Sequence, residues 1–140
     1  MDIRFFHEQL QFSRSFRKEL NERLKEINLF HTQWLVLYCM SLKESTTLVE
    51  ISNYLDVEKP TISRTVKRLE EQGFIETLPS DDKRERRIAL SSKGLTSFKE
   101  GSQIITAYEA ELIEGISVAD LKITLQTIQK LKMRLSGRGM

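Results

Sequence analysis

The sequence predicts a mainly α-helical protein carrying one small β-hairpin, and three observations predict it. Apolar residues recur three and four positions apart through most of the 140 residues, the period of a helix face. Six glycines and two prolines leave little material for the turns of an all-β fold. Only between residues 74 and 90 does the pattern change, to two short apolar-rich runs around a charged tip, which is how a hairpin reads. Hydrophobic residues make up 39% and charged residues 30% of the chain, enough apolar material for a buried core in a chain of one-domain size.

The elements follow in order. Ile3, Phe6, Leu10, Ser13, Arg17, Leu20, Leu24 and Ile27 alternate at spacings of three and four, with Phe5, Phe12 and Phe16 widening the stripe. A helix is therefore expected over roughly residues 2–27, about 39 Å long at 1.5 Å per residue. That is more than the rest of a small monomer can cover, so it asks for a partner. After a break at 28–32, a helix over 33–43 is expected with Thr32 or His31 as N-cap. Its segment Trp34–Met40 is apolar nearly all round and belongs at the centre of the core. Thr46 and Thr47 open a short helix with Leu48, Ile51 and Leu55 on one face. After Asp56 and Val57, Pro60 sits in the first turn of another helix, where its missing N–H does no harm. Ile62, Val66 and Leu69 face inward along it, and Gly73 ends it. Residues 74–78 and 87–90 read as the two strands, joined by the charged tip from Pro79 to Arg86. Ser91 or Ser92 caps a helix carrying Leu95, Phe98, Ile105, Tyr108 and Leu112. Gly115 breaks it. Ser117, with Asp120 three positions on, opens a last helix with Leu121, Leu125, Ile128, Leu131 and Leu135 as its stripe.

Composition narrows the function classes. The longest apolar run, Trp34–Met40, is seven residues, against roughly 20 for a bilayer crossing. The first residues carry no charged-then-apolar signal pattern. One cysteine excludes an intramolecular disulfide framework and fits a reducing compartment. A cytoplasmic protein without membrane contact is expected. Net charge is only +2, so an argument for nucleic-acid binding depends on where the charges sit.

They sit together. The helix opened by Pro60 presents Lys59, Thr61, Ser63, Arg64, Lys67 and Arg68 on the face opposite its apolar stripe. Lys and Arg neutralise phosphate, Ser and Thr hydrogen-bond it, and Arg can read guanine edges bidentately. Such a helix fits a major groove about 12 Å wide, and its N-terminus offers N–H groups to a phosphate oxygen. A charged face alone is the ordinary solvated side of a helix. The hairpin changes the balance, because Lys83, Arg84, Arg86 and Arg87 put four positive charges at a tip with no apolar reason to exist. Residues 59–93 hold nine Lys/Arg against six Asp/Glu, which concentrates the basic excess there. A thin cationic tip suits a minor groove.

Taken in order, these segments resemble the winged-helix regulators of the MarR family. The resemblance is carried by Gln33-Trp34-Leu35-Val36-Leu37, by Pro60-Thr61-Ile62-Ser63-Arg64-Thr65-Val66, and by Leu69-Glu70-Glu71-Gln72-Gly73-Phe74-Ile75. The run from Asp82 to Gly94 matches the family's Asp-x-Arg wing and Leu-Ser/Thr-x-x-Gly exit. The similarity covers essentially the whole chain, 1–140, as a single MarR-like domain. It implies a winged helix-turn-helix lobe over about 33–92, flanked by dimerisation helices over about 1–30 and 93–140. The function it implies is a sequence-specific regulator of transcription on double-stranded DNA, a ligand-responsive repressor acting as a homodimer on pseudo-palindromic sites. By the same likeness residues 60–68 would read the major groove, Arg84 would enter the minor groove, and Asp82 would orient the wing arginines. A small aromatic effector would bind between the dimer helices and the winged lobe, where Phe12, Phe16, Trp34 and Tyr38 could line the cleft. Two positions depart from the family's usual pattern: Asp56 stands where many relatives have glycine, and Thr77 where many have a basic residue.

Other functions find less support. His7 and His31 are the only histidines and neither adjoins a nucleophile motif, so no enzyme is expected. His7, His31 and Cys39 lack metal-ligand spacing, and no metal or cofactor is expected. Cys39 lies in the most apolar helix, which favours inert packing over a redox switch. The remaining alternative is a helical dimeric adaptor that binds protein without specific DNA binding, which would leave the basic hairpin without a task.

Overall fold

A computed structural model describes residues 4–79 and 86–137. Six α-helices and one antiparallel strand pair follow the expected order: α1 Arg4–Leu24, α2 His31–Ser41, α3 Leu48–Leu55, α4 Lys59–Glu71, β1 Ile75–Thr77, β2 Ile88–Leu90, α5 Ser92–Ile113 and α6 Val118–Leu135. A 3₁₀ turn, Lys25–Ile27, continues from α1 and closes on Asn28 in the left-handed conformation (φ 58°). The chain divides into two compact units, Met1–Ala107 and Tyr108–Met140.

The core of the first unit gathers around α2, as its apolar run requires. Val36, Leu37 and Met40 of α2 are buried together with Leu24, Leu29, Ile51, Ile62, Val66, Leu69 and Ile88. Fully burying aliphatic side chains of this kind stabilises by about 1.5–3 kcal/mol each before chain entropy is set against it. The start of α2 differs from the expectation. Neither Thr32 nor His31 is the N-cap; the helix begins at His31 after Phe30. Phe30 has no side-chain acceptor, so others serve the exposed donors: Gln33 Oε1 accepts from the Phe30 N–H at 2.9 Å and Asn21 Oδ1 of α1 accepts from the His31 N–H at 2.7 Å. Gln33 is buried and its amide donates to Gln72 Oε1 at 3.0 Å, tying the start of α2 to the end of α4.

Thr47 caps α3 by accepting from the Glu50 N–H at 3.2 Å, as expected of a threonine there. Thr46 does something the sequence did not suggest. It exchanges both backbone hydrogen bonds with Ile88, each 2.9 Å, adding an isolated bridge beside β2. The hairpin pairs Ile75 with Leu90, Glu76 with Ala89 and Thr77 with Ile88, which places Ile75 and Ile88 on the buried side. At its exit Ser91, not Ser92, caps α5, accepting from the Gly94 N–H at 3.0 Å. Gly94 lies against the strand, and a Cβ there would fall 2.0 Å from the Phe74 carbonyl oxygen.

In the second unit, Gly115 turns the chain at φ 82° and Ser117 caps α6 by accepting from the Asp120 N–H at 3.0 Å. No α6 side chain is buried. No helix among the described residues is long and apolar enough to cross a membrane.

Candidate nucleic-acid interface and effector cleft

The candidate interface is built on a two-helix turn. α3 ends at Asp56, which adopts the left-handed conformation (φ 54°), the geometry glycine supplies in many proteins and Asp tolerates better than most residues. Ser52 Oγ donates to the Val57 carbonyl at 2.6 Å and holds the turn closed. α4 then starts with Pro60 in its first turn, a position without need of a donor. Burial of Ile62, Val66 and Leu69 against the core fixes the rotation of α4, and the remaining face points to solvent. Lys59, Pro60, Ser63, Arg64, Lys67 and Arg68 are exposed and Thr61 is half-buried. The structure thus brings all seven predicted α4 residues onto one helix. Two are already engaged locally: Arg64 donates to Thr61 Oγ1 at 3.3 Å, and the Arg68 guanidinium lies 5.6 Å from the centre of the Phe30 ring.

The wing residues divide. Asp82, Lys83 and Arg84 lie outside the described residues. Arg86 and Arg87, expected at a free cationic tip, are instead turned back onto the protein. Arg86 pairs with the Glu70 carboxylate of α4 and donates to Thr77 Oγ1 at 3.1 Å. Arg87 donates from Nε to Ser45 Oγ at 2.9 Å and from Nη2 to the Ser45 carbonyl at 3.2 Å. The two arginines lie just before β2 and reach different partners, Glu70 of α4 and Ser45 ahead of α3. Thr77, where a basic residue was the usual pattern, serves here as an acceptor.

The four aromatic residues predicted for an effector cleft form two groups. Phe12 and Phe16 stack with ring centres 5.7 Å apart and, with Ser13, Arg17, Leu20 and His31, line a cleft of about 210 Å³. Trp34 and Tyr38 are not on that lining. Trp34 stacks on Tyr38 and Phe98, ring centres 5.5 Å and 5.8 Å apart, and its indole N–H reaches the Phe98 carbonyl and Ser102 Oγ, both at 3.3 Å. Those two rings are packing for α5, with His31 stacked on Trp34 at 6.3 Å as the link between the groups. The sequence reading missed Arg17 and His31 as cleft residues. Positions 12, 13, 16, 17 and 20 share one face of α1, which is the signal that could have found Arg17. Burial, and then the nearby Arg17 charge, push the His31 imidazole below its ordinary pKa. The cleft therefore offers a cation, a neutral imidazole and two aromatic rings, suited to a small aromatic anion.

Cys39 is buried, and burial pushes its thiol up, away from the reactive thiolate. Among the described residues no three His, Cys, Asp or Glu side chains are grouped to hold a metal ion.

Comparison with known proteins places this geometry. Residues 29–85 match the MarR family. YwoH of Bacillus subtilis (strain 168), an uncharacterised HTH-type transcriptional regulator, is 37% identical over 107 residues, covering 76% of this chain and 78% of that protein. The chain belongs to the MarR family, a family of transcription regulators. Staphylococcus aureus MarR, solved in complex with salicylate and kanamycin, shares the fold with a TM-score of 0.86 and 26% identity over 96% of this chain and 91% of its own. A mutant MarR from E. coli complexed with operator DNA superposes with a TM-score of 0.85 over 92% of this chain and 94% of its own, at 22% identity.

Proposed function

We propose that the protein is a sequence-specific regulator that binds double-stranded DNA as a homodimer and responds to a small aromatic effector. One observation carries the reading: the buried stripe of α4 fixes its rotation, and the face left to solvent is the one bearing Lys59, Pro60, Ser63, Arg64 and Lys67. Family membership supports it, as does the operator complex of the E. coli relative. In this reading residues 33–92 form the DNA-reading lobe, with α4 in the major groove and Lys83 and Arg84 of the wing at the minor groove, Asp82 orienting the arginine. Residues 1–30 and 93–140 supply the dimer contacts, and the protein works in the cytoplasm, where it meets DNA, without catalytic activity of its own. The adaptor alternative loses ground because the chain belongs to a family of transcription regulators.

The effector site in this reading is the Phe12/Phe16 cleft. The salicylate complex of the S. aureus relative supports an aromatic acid as occupant. Its carboxylate would meet Arg17, and its ring would lie against Phe12 and Phe16. Trp34 and Tyr38 stand behind His31 as support. Selection from random-sequence duplex followed by gel-shift competition tests the reading. A selected duplex should outcompete a scrambled one by about 10³-fold or more. Equal competition would leave only non-specific binding and remove the proposed function.

A further inference from the structure

We propose that Arg86 is a positioning residue: its bond to Glu70 latches the root of the hairpin to α4, so that wing and reading helix engage DNA as one rigid unit. This rests on the DNA-binding reading above and goes beyond it by assigning Arg86 and Glu70 a role inside the protein. A two-stranded ribbon is marginal by itself in water, and here each strand has only three paired residues. Its root is held from both sides by consecutive side chains. Arg87 reaches Ser45, before α3, next to the Thr46–Ile88 bridge. Arg86 reaches the other way, to Glu70 in the last turns of α4, and also bonds Thr77 across the strand pair. One guanidinium thus joins β1, the chain entering β2, and the helix that carries Ser63, Arg64 and Lys67. Glu70 is half-buried, and with Val66, Lys67, Glu71 and Arg86 it lines a groove between α4 and the hairpin root. Both contacts leave from a single guanidinium nitrogen, Nη2, whose two N–H groups serve the Glu70 carboxylate and Thr77 Oγ1.

The rival role for Arg86 is a direct phosphate contact for which Glu70 merely competes. The two roles predict opposite signs for one substitution. If Glu70 competes, Glu70→Ala frees a cation and removes an anion near DNA, and binding tightens. If Glu70 is half of a latch, Glu70→Ala loosens the wing and binding weakens. An exposed ion pair of middling strength is worth about threefold per protomer, and two copies in a dimer multiply to about tenfold. The experiment measures full-length variants on the duplex recovered by random-site selection, at one salt concentration. Glu70→Ala and Arg86→Ala should each weaken binding about tenfold, and the double variant should be no more than about twofold worse than Arg86→Ala. Glu70→Gln, which keeps an uncharged acceptor of the same shape, should fall between wild type and Glu70→Ala. Binding by Glu70→Ala that is tighter than or equal to wild type overturns the latch and leaves the DNA-binding reading standing. Wild-type protein that prefers no duplex overturns that reading, and the latch with it.

Discussion

Gly94 shows at single-residue scale why a motif has its shape. The Leu-Ser-x-x-Gly run leaving the hairpin ends on a residue whose Cβ would lie 2.0 Å from the Phe74 carbonyl oxygen, a backbone atom that cannot rotate away. Gly94→Ala must push α5 off the strand, and about 1–3 kcal/mol or more is the expected loss, in the manner of an overpacked core. Urea unfolding checks it; a loss below about 0.5 kcal/mol would mean that the contact relaxes freely. His31 makes a second residue-scale prediction. Burial first, and the Arg17 charge second, hold its folded pKa below the ordinary value, so the unfolded chain takes up the proton first as pH falls. The associated stability is fully present above about pH 6.5 and is lost as pH drops through the lower folded value. Unfolding free energy should therefore decline on the acid side of about pH 6.5, and His31→Gln should flatten that decline. Glu50, held low chiefly by the Thr46 hydroxyl, loses its contribution only within the carboxylate range, so the two effects separate along the pH axis. An identical pH profile in wild type and His31→Gln would contradict the assignment.

At the scale of elements, legibility followed how local the cause was. α4 was readable because Pro60, the stripe of Ile62, Val66 and Leu69, and Gly73 are all consequences of nearby sequence. The left-handed turn at Asp56 was readable for the same reason. The start of α2 was misread because its cap is assembled from Gln33 and from Asn21 on another helix, and no Ser/Thr/Asp rule contains a partner ten residues away. Thr46 as a strand partner left no period-2 signal, since one bridged residue has no period. Arg86 and Arg87 looked like free charge because a basic run carries no record of the Glu70 and Ser45 that fold back to meet it. The cleft was half legible, aromatic spacing having found Phe12 and Phe16 but not separated them from Trp34 and Tyr38, which pack against α5. In the proposed reading, α4 and the wing divide the DNA-binding work in a measurable way. Arg64→Ala on α4 should cost about 1–3 kcal/mol and relax preference at one position of each half-site. Arg84→Ala in the wing should weaken binding across many sequences and lower the slope of log K against log salt by about one per protomer. If Arg84→Ala leaves affinity and slope unchanged on selected and scrambled duplexes alike, the wing does not engage DNA and the reading helix acts alone.

At the scale of the whole molecule, exposed apolar surface is what calls for a second copy. Phe6, Leu10 and Phe12 of α1 are more than half exposed, and so are Ile123, Leu125 and Met133 of α6, with Leu135 at 90%. Stripes of this kind rimmed by charged residues mark association surfaces on soluble chains. Both lie outside residues 33–92, apart in sequence from the α4 residues proposed to read DNA. A two-fold dimer then carries two reading helices, which implies a pseudo-palindromic site with half-site centres about 34–36 Å apart, one turn of DNA. The most direct measurement is the mass of the protein on its selected duplex by sedimentation equilibrium, with the selected sequence read for symmetry. The account predicts two chains of 16.4 kDa per duplex and two inverted half-sites one turn apart. One chain bound to an asymmetric site would contradict it.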